Sequence, residues 1–537
     1  LKRFRHHIHS FSIVSFLVFV LVAIIFYQLL IGLTAEASEA WIHIKEHLLF
    51  DYISNSLLLI TFTALFSAVF GFVGAYLVTF YEFPFRKNFS WMLILPLAVP
   101  SYIAAYIYGD MFSYTGVVSR FLRSIGIASQ IDVMSLFGAS LVFAFTLYPY
   151  VFMTVKSSLS KQSNELYESA KLLKASKVRV WTRVLLPLTR PALVAGTLLV
   201  ILETLNDYGV VAYFNVRVFS FAIFDAWFRL GDVLAAIRLS GVMLLIVFGI
   251  VAFERFLRRN KVYYTLQGRK HVREELSNKG KILAYIALAI PFLFGFLIPI
   301  GYLIYYAFVT FEKTLNIDLL FVTVNTLSIS VLATLITLFV ALFVVNLDRF
   351  AKNKVLKRMI QFITLGYAIP GAVLAVLVTL FFLGVDRQFR WLYEWFHTDK
   401  NLVLSSSLVM LAFAYVLRFL TLAFSNIEST YQKIGPSYTE ASYTLGHGKL
   451  KTLWKVDVPM LKEGLIFAFV IVFIDVVKEL PLTLILRPTN YDTMATKAYQ
   501  YASDEMLHEA SLPGLLLVLV SGIMIYFITH RKNRRVK

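Results

Sequence analysis

The 537-residue chain contains no cysteine, which excludes a disulfide framework and any thiolate-based metal site or nucleophile. Charge is scarce: 15% of residues are Asp, Glu, Lys or Arg, against 59% hydrophobic and 16% aromatic. A soluble chain of this size would need far more charge to cover its surface. No G-x-x-x-x-G-K-[ST] phosphate loop is present; Gly446-His447-Gly448-Lys449 lacks both the spacing and the hydroxyl that must follow. Nucleophile-elbow, zinc-helix and acidic metal motifs are also missing, so neither ATP hydrolysis nor any other catalysis is written into this sequence.

What is present is apolar runs, each long enough to cross about 30 Å of hydrocarbon. They predict an all-α membrane protein with spans near 11–33, 54–80, 90–108, 133–155, 190–213 and 236–253, then 282–308, 324–347, 359–383, 402–425, 462–486 and 511–530. That is twelve spans, six in each half. The formal net charge of +19 raises the question of a nucleic acid partner, and position decides against it. Lys2, Arg3 and Arg5, then Arg86 and Lys87, the stretch from Lys156 to Arg190, the linker around Arg255 to Arg273, the loop from Arg349 to Arg358 and the tail from Arg531 to Lys537 share one side only if every span crosses. This is the positive-inside pattern. It makes the lipid bilayer the partner and both termini cytoplasmic. The first span has a basic start and Ala35-Glu36-Ala37 after it, but its apolar run exceeds the roughly 7–15 residues of a signal peptide and reads as a retained anchor.

The halves repeat. Asn55-Ser56-Leu57 matches Asn325-Thr326-Leu327, and Pro100 matches Pro370, each pair 270 positions apart. Glu168 and Glu440, and likewise Pro187 and Pro459, are 272 apart, so two residues have been inserted between. An even number of spans per half gives both halves one orientation, related by a pseudo-two-fold axis along the membrane normal. The units are residues 1–253 and 282–537, joined by a basic cytoplasmic linker, 254–281.

Each half also carries one polar cytoplasmic stretch. Glu168-Ser169-Ala170 leads to Leu186-Pro187, and Glu440-Ala441-Ser442 leads to Val458-Pro459, with 19 positions from glutamate to proline in both. Leu166, Ala170 and Leu173, and Tyr438, Ala441 and Leu445, are spaced for a short amphipathic helix lying along the membrane surface. Gly446 is placed to end the second such helix. Small residues after each glutamate leave room for another surface to approach.

This pattern, a Glu-Ala start, a glycine six residues on and an apolar-Pro step, resembles the cytoplasmic loop of permease subunits of binding-protein-dependent ABC importers. The resemblance implies that Glu168, Ser169, Ala170 and Pro187 form one element coupling to an ATPase, and that Glu440, Ala441, Ser442, Gly446 and Pro459 form the other. Lys174 stands where the first copy should have glycine, which makes the first turn different. The resemblance further implies a bacterial inner-membrane location, a cytoplasmic ABC ATPase dimer that uses ATP and Mg, a periplasmic substrate-binding protein, and no cofactor bound by this chain. An ion-coupled secondary transporter with parallel repeats would share the spans and the repeat but needs no matched docking loops.

Membrane-embedded acids bear on the substrate. Glu203 lies 12 residues beyond Pro191, roughly 18 Å into the bilayer, and Asp207 one helical turn further on the same face. Asp475 and Glu479 are their counterparts, each 272 positions on. Such groups cost several kcal/mol facing lipid and should face protein, water or a cation. Two readings stay open: internal pairing with Lys478 and Arg418, or a cation path along the axis. Hard carboxylate oxygens suit a hard cation and repel sulfate or phosphate. Charge alone does not separate ferric iron from a polyamine or a thiamine-like cation, and no stable metal site is predicted. Ile474-Asp475-Val476-Val477-Lys478-Glu479-Leu480-Pro481-Leu482-Thr483 with Arg487-Pro488, Glu203 to Gly209, and Tyr148-Pro149-Tyr150 resemble the ferric-iron branch of these permeases. That likeness implies ferric iron handed over by the binding protein and moved inward by alternating access. Tyr491, Asp492, Tyr499, Tyr501, Asp504, Glu505 and Glu509 read as a polar loop that docks the binding protein, with contact to iron in transit as the alternative. Trp391, Tyr393, Trp395 and Phe396 read as an interfacial aromatic belt.

Overall fold

A computed structural model describes residues 8–127, 131–160, 183, 186–258, 273–350, 354–364, 366–395, 402–434 and 437–533. Glu168, Ser169, Ala170 and Lys174, half of the basic linker (259–272), and Phe396 lie outside the described residues.

Among the described residues nine helices are long and apolar enough to cross a membrane, and a tenth span is a bent pair, Arg86–Ala98 with Ser101–Ser124, kinked by 87°. The two remaining expected spans are also helical. Val458–Lys478 carries Lys462, Glu463, Asp475 and Lys478, which lowers its hydropathy, and Ser511–Asn533 ends in a basic turn. Strand structure among the described residues is a two-residue parallel ribbon, Tyr81–Glu82 with Glu274–Glu275. It ties the end of the linker to the loop after the second span, where Glu82 meets Arg86 at 3.1 Å and Arg273 at 3.6 Å.

The third and fifth spans are broken in both units. In the third, a 3₁₀ turn (Leu95–Ala98, and Gly366–Ala368) runs into Pro100 or Pro370, each of which caps a new helix, Ser101–Phe112 or Gly371–Gln388. Proline has no N–H to continue the preceding helix, and it disfavours a helical residue before it. In the fifth, Leu186–Asn206 stops and restarts as Gly209–Tyr213, while Val458–Lys478 stops and restarts as Pro481–Leu486. Non-helical backbone at membrane depth survives only inside protein or beside a polar cavity. The fourth spans, Leu136–Leu159 and Leu408–Ile434, begin 272 positions apart. The two inserted residues therefore lie between the third and fourth spans.

The repeat boundaries are not the packing boundaries. One apolar core joins the first span (Val22, Ile25, Leu29) and sixth span (Ile237, Met243, Val247) to the central helices of the second unit. The other joins the seventh (Leu288, Phe292, Leu303) and twelfth (Leu517, Val518) to the central helices of the first. Phe19 and Phe26 pack on Phe362 with ring centroids 5.7 and 5.2 Å apart. In return Phe294 stacks on Phe145 at 5.2 Å, and the Tyr108 hydroxyl donates to the Phe294 carbonyl. Gly295 permits that approach, because a Cβ there would sit 2.3 Å from the Phe145 carbonyl oxygen.

The Asn-Ser/Thr pairs at the start of the repeat act as clamps. Asn55 donates to the Arg217 carbonyl at 3.1 Å, and the Ser56 hydroxyl accepts from the Phe219 N–H at 3.1 Å. In the second unit Asn325 donates to the Asp492 carbonyl at 3.4 Å and Thr326 accepts from the Met494 N–H at 2.8 Å. Each clamp fixes the loop that follows the broken fifth span.

Candidate functional site: a carboxylate cavity at the helix breaks

Three of the four breaks, those of the third, fifth and eleventh spans, line one polar cavity. Glu203, Asp207, Asp475 and Glu479 all line it, with Lys478, Arg418, Asn206, Tyr102 and Tyr150. Asp207 N–H still bonds the Glu203 carbonyl at 3.1 Å, one turn on as the i, i+4 spacing suggested, but it is the last residue so held, and Glu479 has already left the helix. The helices end at Asn206 and Lys478, so both second acids fall in the break. There each carboxylate caps the restarting helix. Asp207 Oδ1 accepts from the Val210 N–H at 2.9 Å, and Glu479 Oε1 accepts from the Leu482 N–H at 3.0 Å. Asn206, with polar chemistry at a chain break, and Pro481, already lacking an N–H, favour stopping the helix at these points.

Pairing differs between the units. Glu479 lies 3.4 Å from the Arg418 guanidinium, with both side chains buried, and Asp475 lies 3.6 Å from Lys478. Glu203 instead accepts from the Tyr367 hydroxyl, and Asp207 is held by backbone N–H groups. The positions equivalent to Arg418 and Lys478 are Thr146 and Asn206, each 272 residues earlier. Thr146 is spent on a 2.8 Å hydrogen bond with Ser101. Four carboxylates thus face two cations, and the surplus acids belong to the first unit.

The units also latch across the axis. Lys478 donates to the Leu97 carbonyl at 3.1 Å, and Asn206 accepts from the Gly371 N–H at 2.6 Å. Gly371 permits this close approach, since a Cβ would lie 2.9 Å from Asn206 Oδ1 and 3.0 Å from Glu479 Oε1. Asn206, Tyr367 and Gly371 were not singled out from the sequence. Aligning Asn206 with Lys478 was the available signal for the first; nothing in the chain marks Tyr367 as a partner of a residue 164 positions away.

The second polar stretch forms a helix, Ser437–Thr444. Gly446 ends it in the left-handed region (φ 83°), with Gly446 N–H bonded to the Tyr443 carbonyl at 3.0 Å and His447 N–H to that of Ser442 at 3.2 Å. Thr439 and Ser442 face inward: Arg349 donates to the Thr439 hydroxyl at 2.9 Å, which donates to Asp457 at 2.7 Å, while Ser442 bonds Thr452 at 2.9 Å. Burial pushes the Asp457 carboxyl above its ordinary range, against the pull of Thr439 and Arg349. Tyr438, Glu440 and Ala441 are exposed, and Leu445 is 77% exposed, so the apolar stripe faces outward. The polar network on the other face explains this: those hydroxyls and Asp457 satisfy one another only if the apolar stripe turns away. Pro187 and Pro459 lie in the first turns of the helices that re-enter the bundle, Leu186–Asn206 and Val458–Lys478.

A multi-span bundle with duplicated broken helices around a charged axial cavity defines an integral membrane transport protein. The chain belongs to the family of binding-protein-dependent transport system inner membrane components, which matches residues 67–260 and again 349–537. This is a family of importer permeases, not of catalytic subunits. The chain is 24% identical over 484 residues to the Fe(3+)-transport system permease protein FbpB 2 of Haemophilus influenzae, covering 89% of each. It is 24% identical over 508 residues to the ferric transport system permease protein FbpB of Actinobacillus pleuropneumoniae, covering 88% of this chain and 70% of that one. A local match, 32% identical over 160 residues, joins it to the sulfate transport system permease protein CysT of Salmonella typhimurium, covering 29% of this chain and 56% of that one.

Proposed function

We propose that this permease moves ferric iron, delivered by a periplasmic binding protein, into the cytoplasm by alternating access, driven by a separate ABC ATPase dimer that uses ATP and Mg. The carrying observation is the convergence of Glu203, Asp207, Asp475 and Glu479 on one axial cavity where carboxylates outnumber cations. A hard cation is welcome among such oxygens, and sulfate is repelled. The relatives of the ferric kind extend over both units, whereas the sulfate likeness is confined to 29% of the chain. In this reading units 1–253 and 282–537 rock about the pseudo-axis, linker 254–281 and both termini are cytoplasmic, and residues 491–509 face the binding protein.

Replacing Glu203, Asp207, Asp475 and Glu479 together by Gln or Asn keeps the capping oxygens and removes the charge. Ferric uptake into vesicles containing this chain, its ATPase and its binding protein is expected to disappear while ATPase association persists. Uptake at the wild-type rate would leave the acids as internal structural partners. Thiamine or polyamine uptake in place of iron would move the substrate to another cation.

Energy enters, in this reading, through Glu440, Ala441, Ser442 and Gly446 with Pro459, and through Glu168, Ser169 and Ala170 with Pro187. The support is the outward stripe of Tyr438, Ala441 and Leu445, an apolar face with Glu440 beside it that the other described residues leave exposed. Glu440→Arg is expected to abolish ATP-driven uptake with membrane insertion intact, and Glu168→Arg to do the same. Normal uptake in both variants would remove the docking assignment. A requirement for a proton or sodium gradient in place of ATP would point to a secondary transporter.

A further inference from the structure

At the end of the bundle opposite the Glu440 helix, three side chains from distant parts of the chain converge. Asp110 closes the helix Ser101–Phe112, Tyr302 belongs to the seventh span, and His508 precedes the twelfth. The Tyr302 hydroxyl donates to Asp110 Oδ2, and His508 Nε2 lies 3.8 Å from the same oxygen. The imidazole is held in place: it stacks on Tyr306 with ring centroids 3.8 Å apart, and the His508 carbonyl accepts from Thr310 at 3.3 Å. Asp110 and His508 both keep access to solvent. Among the described residues no three His, Cys, Asp or Glu side chains gather as a metal site. Here a phenol supplies the third donor.

A second observation leads inward from this cluster. Tyr102 and Tyr106 stand two turns and one turn before Asp110 on the same helix, at i, i+4 and i+8. Both rings are buried, and neither hydroxyl has a hydrogen-bond partner among the described residues. Tyr106 shares a small pocket with Tyr302, and Tyr102 lines the carboxylate cavity. The helix rise puts Asp110 about 12 Å from Tyr102 along this face. Buried hydroxyls without a partner cost free energy in this state, and a ligand that bonds them relieves that cost.

We propose that Asp110, Tyr302 and His508 form an outer receiving site for ferric iron, which takes the ion ahead of the carboxylate cavity. This rests on the ferric reading above. The donors fit: carboxylate and phenolate are hard anionic oxygens, and imidazole is a common iron ligand. Binding replaces the Tyr302 O–H bond by an oxygen–iron bond, the phenolic proton leaves to solvent, and the iron stays ferric throughout. Three donors leave coordination positions open for the delivering protein or a chelator, which suits transfer and not storage. Tyr106 and Tyr102 supply the next oxygens on the way in.

The test uses the full chain in detergent micelles, titrated with ferric nitrilotriacetate and followed by the visible charge-transfer band of a phenolate bound to ferric iron. The wild type is expected to give a saturable band. Tyr302→Phe should lose it, and Asp110→Asn and His508→Gln should weaken binding at least about tenfold, the smallest loss seen even for residues that only orient a ligand. An unchanged band in Tyr302→Phe, or no saturable band in the wild type, overturns the site. Ferric uptake is measured on the same proteins. Wild-type vesicles that import iron at a rate unchanged in Tyr302→Phe would overturn the receiving site and leave the ferric reading standing. Wild-type vesicles that import another solute and no iron would overturn both.

Discussion

The two units are built on one plan and charged differently. In the second, Arg418 and Lys478 face Glu479 and Asp475. In the first, Thr146 and Asn206 occupy the same places, and Glu203 and Asp207 rely on the Tyr367 phenol and on backbone N–H groups. The backbone breaks are duplicated because both halves inherit them from the same local chemistry, a proline before the third-span helix and an acid that caps the restarted fifth. The compensation of charge is not duplicated. One unit pairs its acids with cations and the other holds them with neutral donors, so a single two-fold scaffold holds an asymmetric cavity. Of the two readings left open by the sequence, internal ion pairing describes the second unit, and the first unit's acids are held by a phenol and by backbone N–H groups instead.

Substituting the first unit's residue into the second tests this most severely. Arg418→Thr leaves Glu479 buried without its cation, and the counterpart of Ser101, which holds Thr146 in the first unit, is Gly371 with no side chain to offer. A loss of about 3–5 kcal/mol is expected, read as a drop in the thermal unfolding midpoint in micelles. Adding Glu479→Gln should restore most of it; no rescue would mean that Arg418 acts through packing and not through the pair. A smaller effect sharpens the comparison of the cytoplasmic loops, where the second copy has Gly446 and the first has Lys174. Gly446→Ala meets no atom within 4 Å, so only its positive φ is penalised. The expected cost is about 1–2 kcal/mol, visible as faster hydrogen exchange at Gly446 and His447 with the core unaffected. An unchanged exchange rate would show that this turn tolerates a side chain and that the difference between the copies is not conformational.

Much of the fold was legible along the chain. Apolar runs gave the spans, and offsets of 270 and 272 gave the duplication, because hydropathy and proline act within a turn or two of their own position. The acids were legible as a set, since an ionisable residue deep in an apolar run must find a polar setting. Three things were not. The i, i+4 rule read Asp207 and Glu479 as residues within a helix, whereas both stand at the helix end and cap the next one; a capping carboxylate and a helical carboxylate look alike in sequence. The Tyr438, Ala441 and Leu445 stripe was legible, but the network of Thr439, Ser442 and Asp457 that packs the other face of this helix on the protein was not. The contiguous units concealed that each lends its first and last spans to the other's core.

The sequence by itself determined what kind of molecule this is: an apolar, duplicated, multi-span chain with no catalytic motif and four acids at matched depths. Tertiary structure alone decided which acids are paired, which unit holds the surplus, and that residues 110, 302 and 508 meet at one mouth of the bundle. Local rules reach only as far as neighbouring turns. Pairing across hundreds of residues depends on how helices that are apolar on every side settle against one another, and no periodicity in the chain records that choice.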